Sequence, residues 1–182
     1  PPIESSGASV ISSKEYYEAG REHLTPGGVM MQWVPYGAPE PEFKEKLAIL
    51  NYLVKTAKAL GVETPKVAVL AASEQVLPKM SSSSDAAMLS KMADRGQIKG
   101  ALVDGPLALD GALDAESAQI KGLGGPVAGD ADCLLFPNIE AGNVFYKAGT
   151  KLGGAEIAAV VAGARVPCVL SSRGDSAKTK LS

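Results

Sequence analysis

The stretch KVAVLAA, residues 66–72, decides how this chain is expected to fold. After its lysine it is continuously apolar instead of alternating, which is typical of a parallel strand covered on both faces. Residues 42–60 precede it with apolar side chains at helical spacing, and Gly61 is a stop signal. A helix leading into a buried strand indicates an α/β sheet.

Helical and strand patterns alternate on both sides of this unit. Helices are predicted at residues 14–24, 84–95, 112–119 and 143–152, and strands at residues 29–34, 98–103, 131–136, 155–162 and 168–171. Asp104-Gly105-Pro106 is expected to be a turn, and residues 81–84 a loop with a cap, Ser84-Asp85, at the helix start. The pattern predicts an α/β fold, a three-layer α/β/α sandwich with a mostly parallel sheet.

Composition narrows the functional classes. Hydrophobic residues make up 46% and charged residues 21% of the 182 residues, as in globular proteins. A net charge of -2 without a lysine or arginine block argues against nucleic acid, and no apolar run reaches the ~20 residues that cross a membrane. Cys133 and Cys168 lie in apolar runs, so we expect two buried thiols and a reducing, cytoplasmic location.

One segment near the end has residues suited to anion chemistry. Ser172, Arg173 and Gly174 follow the predicted strand at residues 168–171 and precede a helical pattern. A hydroxyl, a guanidinium and a glycine at a strand's carboxyl end suit a phosphate or a developing oxyanion. From pattern alone, a capped helix start with a surface arginine fits equally well.

Other reactive residues give weaker signals. Asp104, Asp110, Asp130 and Asp132 lie near predicted strand ends, where carboxylates orient ligands or cap turns. His23 is the only histidine, so a zinc site or a Cys-His pair has little support.

Seven motifs occur in the order and spacing of the phosphate acetyl/butyryltransferase family. They are KVAVLAA (66–72), DAAMLSKMADRG (85–96), VDGPLALD (103–110), VAGDAD (127–132), PNIEAGN (137–143), YK (146–147) and SR (172–173). Residues 44–182 resemble this family, and the DGPLALD version resembles phosphate butyryltransferase rather than the acetyl enzyme.

The resemblance implies transfer of an acyl group between coenzyme A (CoA) and phosphate, with CoA as a substrate and no metal or prosthetic group. It implies oxyanion stabilisation by Ser172 and phosphate or CoA contact by Arg173, with Asp104, Asp110, Asn143 and Gly174 in the substrate cleft. The family has two α/β domains with the cleft between them, and this segment resembles the C-terminal one. A family aspartate seven residues after the serine is here Thr179, which leaves the base for the CoA thiol unassigned.

Residues 1–43 resemble a different family. SGAS (6–9), YYE (16–18) and LTPGGVMMQWVP (24–35) are similar to a late segment of spermidine-synthase-like aminopropyltransferases. We therefore expect a chimera of two segments cut from longer chains. The alternatives are an acyltransferase, perhaps reduced to CoA binding, a non-catalytic α/β scaffold, and an aminopropyltransferase. A half without its partner domain is expected to expose an apolar patch and to favour a homo-oligomer.

Overall fold

The computed structural model describes residues 30–32, 42–163, 174 and 177. Within them four strands form one sheet in the order β1-β4-β2-β3, and every neighbouring pair is parallel. The strands are β1 (Met30–Gln32), β2 (Lys66–Leu70), β3 (Leu102–Leu107) and β4 (Cys133–Leu135). The helices are α1 (Phe43–Ala59), α2 (Ser81–Asp94), α3 (Leu109–Leu113), α4 (Ala115–Ile120) and α5 (Ile139–Lys151).

Two apolar cores cover the two faces of the sheet. On one face Val67 and Val69 pack with the inner sides of α1 and α2. On the other face Ala68 and Leu70 pack with residues of α3 and α5. Alternate residues of β2 therefore enter different cores, which explains its continuous apolar sequence. The predicted three-layer α/β/α architecture is confirmed.

Helix α1 has the bounds that its sequence pattern predicts. The Glu42 backbone N–H donates to the Glu45 side chain at 2.9 Å, which fixes the first turn. At the other end Gly61 takes a positive φ of 96°, a conformation that glycine adopts without a steric penalty. Leu50 and Leu53 are fully buried, and burying a leucine is worth about 1.5–3 kcal/mol.

The predicted turn at Asp104-Gly105-Pro106 is wrong, because β3 passes through it. Strand β3 also begins at Leu102, later than the predicted strand. Ala68 pairs with Asp104 and Leu70 with Leu107, so β3 holds one more residue than β2 over this interval. The turn residues accommodate a bulge.

Gly105 is required here by a close approach between layers. A Cβ at this position would lie 2.7 Å from the Val69 carbonyl oxygen and 3.2 Å from the Ala86 Cβ. Helix α2 therefore packs directly onto the bulge. The glycine of the DGPLALD motif serves packing at this point.

Three helix boundaries differ from prediction. Helix α2 begins at Ser81 and not at a Ser84-Asp85 cap, because its early residues turn inward. Helix α5 begins at Ile139, where the Asn138 side chain accepts a hydrogen bond from the Ala141 N–H at 2.9 Å. The helix predicted at residues 112–119 is two helices, which meet at Asp114.

The remaining predicted elements have mixed outcomes. The strand at residues 29–34 appears as β1, paired with β4. Residues 155–162 form no strand beyond a single bridge residue, Val160, and most of them are exposed or half-buried, so they lack the covering layer that a buried parallel strand needs. The predictions at residues 14–24 and 168–171 lie outside the described residues. In the described part of the chain, each helix is too short or too polar to span a bilayer.

Candidate active site at the carboxyl edge of the sheet

The carboxyl ends of β2, β3 and β4 lie at one edge of the sheet, because the strands are parallel. Open α/β sheets bind ligands at this edge, in the loops that follow the strands. Those loops contain Glu74 after β2, Asp110 after β3 and Asn138 after β4. The Asn138 side chain is engaged in capping α5, which leaves the two carboxylates as the charged groups of these three positions.

Lys121 joins the two carboxylates. Its Nζ lies 2.7 Å from the Glu74 Oε1 and 2.7 Å from the Asp110 Oδ1. The Asp110 Oδ1 also accepts a hydrogen bond from the Gly111 N–H at 2.8 Å. We call Lys121, Glu74 and Asp110 the Lys121 clamp. It connects the loop after β2, the start of α3 and the end of α4.

The hydrogen bonds of the Lys121 clamp keep all three groups ionised. The hydrogen bond from Lys121 lowers the pKa of Glu74, and the same contact, helped by the Gly111 N–H, lowers the pKa of Asp110. The bond to Asp110, followed by that to Glu74, raises the pKa of Lys121. A carboxylate with a lowered pKa is a poor proton acceptor. Asp110 is therefore suited to an ion pair and not to the role of a base.

Asp104 has different surroundings from Asp110. It lies within β3, where its Oδ1 accepts a hydrogen bond from the Gly105 N–H at 2.8 Å. It lines a surface cavity of about 410 Å³ together with Ser90, Asp94 and the loop at residues 124–127. The structure thus assigns Asp104 and Asp110 to separate neighbourhoods.

Asp130 and Asp132 lie at the opposite, amino edge of the sheet. The Asp132 Oδ2 accepts a hydrogen bond from the Lys66 backbone N–H at 2.9 Å, and Asp130 forms an ion pair with the Lys66 side chain. Both carboxylates hold the start of β2, which agrees with a structural role for these aspartates.

The other predicted site residues are partly described. Asn143 is exposed on α5. The Gly174 carbonyl accepts a hydrogen bond from the Lys151 Nζ at 2.5 Å, which brings Gly174 to the end of α5. Ser172 and Arg173, which precede it in sequence, lie outside the described residues.

Cys133 is buried in the core between the sheet and α1, and burial raises the pKa of its thiol to about 12. It therefore stays a thiol near neutral pH and is no nucleophile. Cys168 lies outside the described residues. In the ranges described, no three His, Cys, Asp or Glu side chains are grouped so that they could hold a metal ion.

Sequence reasoning missed Glu74 and Lys121. Glu74 is the first charged residue after β2, so its place past a strand end was a usable signal. Lys121 follows a short helix and carries no comparable signal, because its role depends on contacts across 11 and 47 residues of sequence.

A parallel sheet with helices on both faces and charged side chains at its carboxyl edge defines an α/β protein of the ligand-binding kind. Residues 35–182 match the family model described as phosphate acetyl/butaryl transferase, and the chain belongs to this family. All seven motifs lie within the matched range. Residues 1–34 lie outside it, so the aminopropyltransferase resemblance of residues 1–43 and the chimera stay predictions.

Individual relatives agree with this membership. The chain is 56% identical over 141 residues to the phosphate butyryltransferase of Clostridium acetobutylicum, covering 78% of this chain and 47% of that protein. It is 50% identical over 140 residues to the phosphate acetyltransferase of Thermotoga maritima, covering 77% and 48%. The chain thus spans about half the length of these relatives.

A solved structure shows the same fold. The crystal structure of a branched-chain phosphotransacylase from Enterococcus faecalis superposes with a TM-score of 0.69 at 35% sequence identity. The match covers 80% of this chain and 55% of that one. The predicted correspondence to part of the phosphate acyltransferase fold is therefore confirmed.

Proposed function

We propose that this chain acts on acyl-CoA and phosphate, as the acyl-transferring part of a phosphate acyltransferase with phosphate butyryltransferase as its nearest model. The observation that carries the proposal is family membership over residues 35–182, a range that includes all seven motifs. The reaction gives acyl phosphate and CoA. It requires an acyl carbon held beside a thiol and a phosphate, and donors for the negative charge that develops.

The proposed roles follow the sequence and the contacts at the carboxyl edge. Ser172 donates to the developing oxyanion and Arg173 binds a phosphate group. Gly174 lets the chain pass close to the ligand, and its hydrogen bond with Lys151 supports a fixed position for it beside α5. Asp110 shapes one wall of the cleft as part of the Lys121 clamp, while Asp104 and Asn143 contact more distant parts of the substrate.

Half-length coverage favours a specific form of this function, in which CoA binding outlasts turnover. Binding needs only one set of contacts, whereas catalysis needs a cleft that excludes water and meets phosphate and oxyanion together. The relatives are about twice as long as the matched region. We therefore propose CoA affinity for the chain alone and restored turnover when the rest of the family's length is present.

The setting of this activity is part of the proposal. The free, buried thiol of Cys133 supports a cytoplasmic protein. Val144 and Leu152 on and beside α5 are 67% and 88% exposed, and such apolar side chains support a homo-oligomer. No prosthetic group is proposed, since CoA serves as a substrate.

Calorimetric titration with CoA, combined with an assay of butyryl-CoA and phosphate on the same sample, tests the proposal. Binding with turnover supports the complete activity, and binding without turnover supports the CoA-binding form. The absence of both heat and rate would overturn the function and leave a non-catalytic α/β scaffold.

Arg173→Ala is expected to weaken CoA binding at least about tenfold, because a charge-assisted hydrogen bond to phosphate is worth about 1.5–3 kcal/mol. Arg173→Lys keeps the charge but loses the two-pronged geometry, so it should recover only part of the affinity. Arg95→Ala removes an exposed arginine at the end of α2 and is the matched control. An Arg173→Ala protein with the affinity of the control would refute the role of Arg173.

A further inference from the structure

We infer that Lys121 is a positioning residue for the proposed reaction, which holds two substrate-edge loops together and neutralises part of their negative charge. This inference rests on the proposed function and adds a residue to it. Lys121 lies outside the seven family motifs and acts through Glu74 and Asp110, with no reacting atom in contact.

The clamp joins segments that no other element connects at this point. Glu74 belongs to the loop after β2 and Asp110 to the start of α3, while Lys121 directly follows α4. A single ammonium lies 2.7 Å from a carboxylate oxygen of each. The three segments are therefore fixed relative to one another by two hydrogen bonds from one atom.

Close packing around Gly111 supports a defined geometry. A Cβ on Gly111 would lie 2.7 Å from the Leu123 Cδ1 and 3.5 Å from the Glu74 Oε1. The Gly111 carbonyl also accepts a hydrogen bond from the Gly129 N–H at 2.8 Å. The backbone beneath the clamp thus has little room to shift, and a change in the lysine acts mainly on the two loops above it.

Charge gives the clamp its link to the substrates. With Lys121 in place the three groups carry one net negative charge, and without it two carboxylates remain at the edge where CoA and phosphate are proposed to bind. Both substrates are anions, so the uncompensated pair would repel them. The side chains of Lys121, Glu74 and Asp110 are 32%, 26% and 53% exposed, so this charge is felt at the surface.

Lys121→Met tests the inference against a matched control, Lys66→Met. Lys66 has a side-chain exposure of 31% and forms an ion pair with Asp130, but it lies at the opposite edge of the sheet. Since partly exposed ion pairs are worth little, the expected rise in the CoA dissociation constant, or in KM for acyl-CoA where turnover is present, is roughly two- to fivefold for Lys121→Met. The Lys66→Met value should equal that of the wild type. Lys121→Arg should restore most of the affinity.

Hydrogen exchange reads the clamp without reference to activity. Amides of residues 73–77 and 110–113 should exchange faster in Lys121→Met and stay unchanged in Lys66→Met. Unchanged exchange in these loops would overturn the positioning inference, as would an affinity equal to that of the control. A kcat reduced only in proportion to the folded fraction, at constant KM, would overturn it too. A wild type that neither binds CoA nor turns over would overturn the proposed function instead, and the exchange result would still decide whether Lys121 holds the loops.

Discussion

Replacing Lys46 by methionine is expected to lower the free energy of unfolding by about 3–5 kcal/mol, because it leaves a largely buried carboxylate without its partner. Lys46 on α1 and Asp85 on α2 form an ion pair with an Nζ–Oδ2 distance of 2.6 Å. Their side chains are only 5% and 14% exposed. Methionine keeps most of the aliphatic length, so the loss reports the missing charge. Chemical denaturation monitored by circular dichroism measures it.

Two further variants make this result interpretable. Lys44→Met changes the same helix at an ion pair with Glu42 whose side chains are about 70% exposed, and it should stay within about 0.5 kcal/mol of the wild type. The double variant Lys46→Met with Asp85→Leu removes both charges and should recover most of the stability, since an apolar pair can replace a buried ion pair. A single Lys46→Met variant as stable as Lys44→Met would contradict the prediction.

Ser83→Ala is expected to cost about 1–3 kcal/mol, because it removes the partner of two backbone groups. The fully buried Ser83 hydroxyl accepts from the Leu77 N–H at 2.8 Å and donates to the Gln75 carbonyl at 2.6 Å. These bonds tie the loop after β2 to the first turn of α2. The same loop holds Glu74, so exchange of its amides should accelerate together with the loss of stability.

The neighbouring serine provides the control for this loop. Ser82→Ala alters the same helical turn at a half-buried side chain, and it should change stability by less than about 0.5 kcal/mol. If thermal unfolding showed equal losses for Ser82→Ala and Ser83→Ala, helix propensity and not the two hydrogen bonds would explain the effect.

Helix α1 and strand β2 were predictable because their signals lie within single elements. Apolar spacing defines α1, and an unbroken apolar run defines β2. Both were located within a few residues of their observed bounds. The class of the fold followed from their alternation with further helices and strands.

The errors arise where a partner segment decides the local conformation. Asp104-Gly105-Pro106 has turn composition, yet pairing with β2 and contact with Ala86 draw it into a bulged strand. Residues 81–84 have loop composition, yet the buried hydroxyl of Ser83 makes them the first turn of α2. Local propensity cannot report contacts that form only in the folded chain.

The candidate site shows the same division. Asp110 could be placed at the sheet edge from its position after a strand, and family resemblance singled it out. The pairing with Glu74 and Lys121 depends on β2 and β3 being neighbours, which only the sheet order establishes. Ser172 and Arg173 rest on the family motif alone and stay predictions.

The place of β4 in the sheet has a consequence for synthesis on the ribosome. It is the last of the four described strands in the sequence but lies between β1 and β2. Until residue 135 has emerged, a nascent chain carries β1 and β2 with facing edges that have no partner, and exposed edges invite pairing with other chains. Long-range parallel pairing is also intrinsically slow. Chaperone demand during translation should therefore be greatest just before β4 appears.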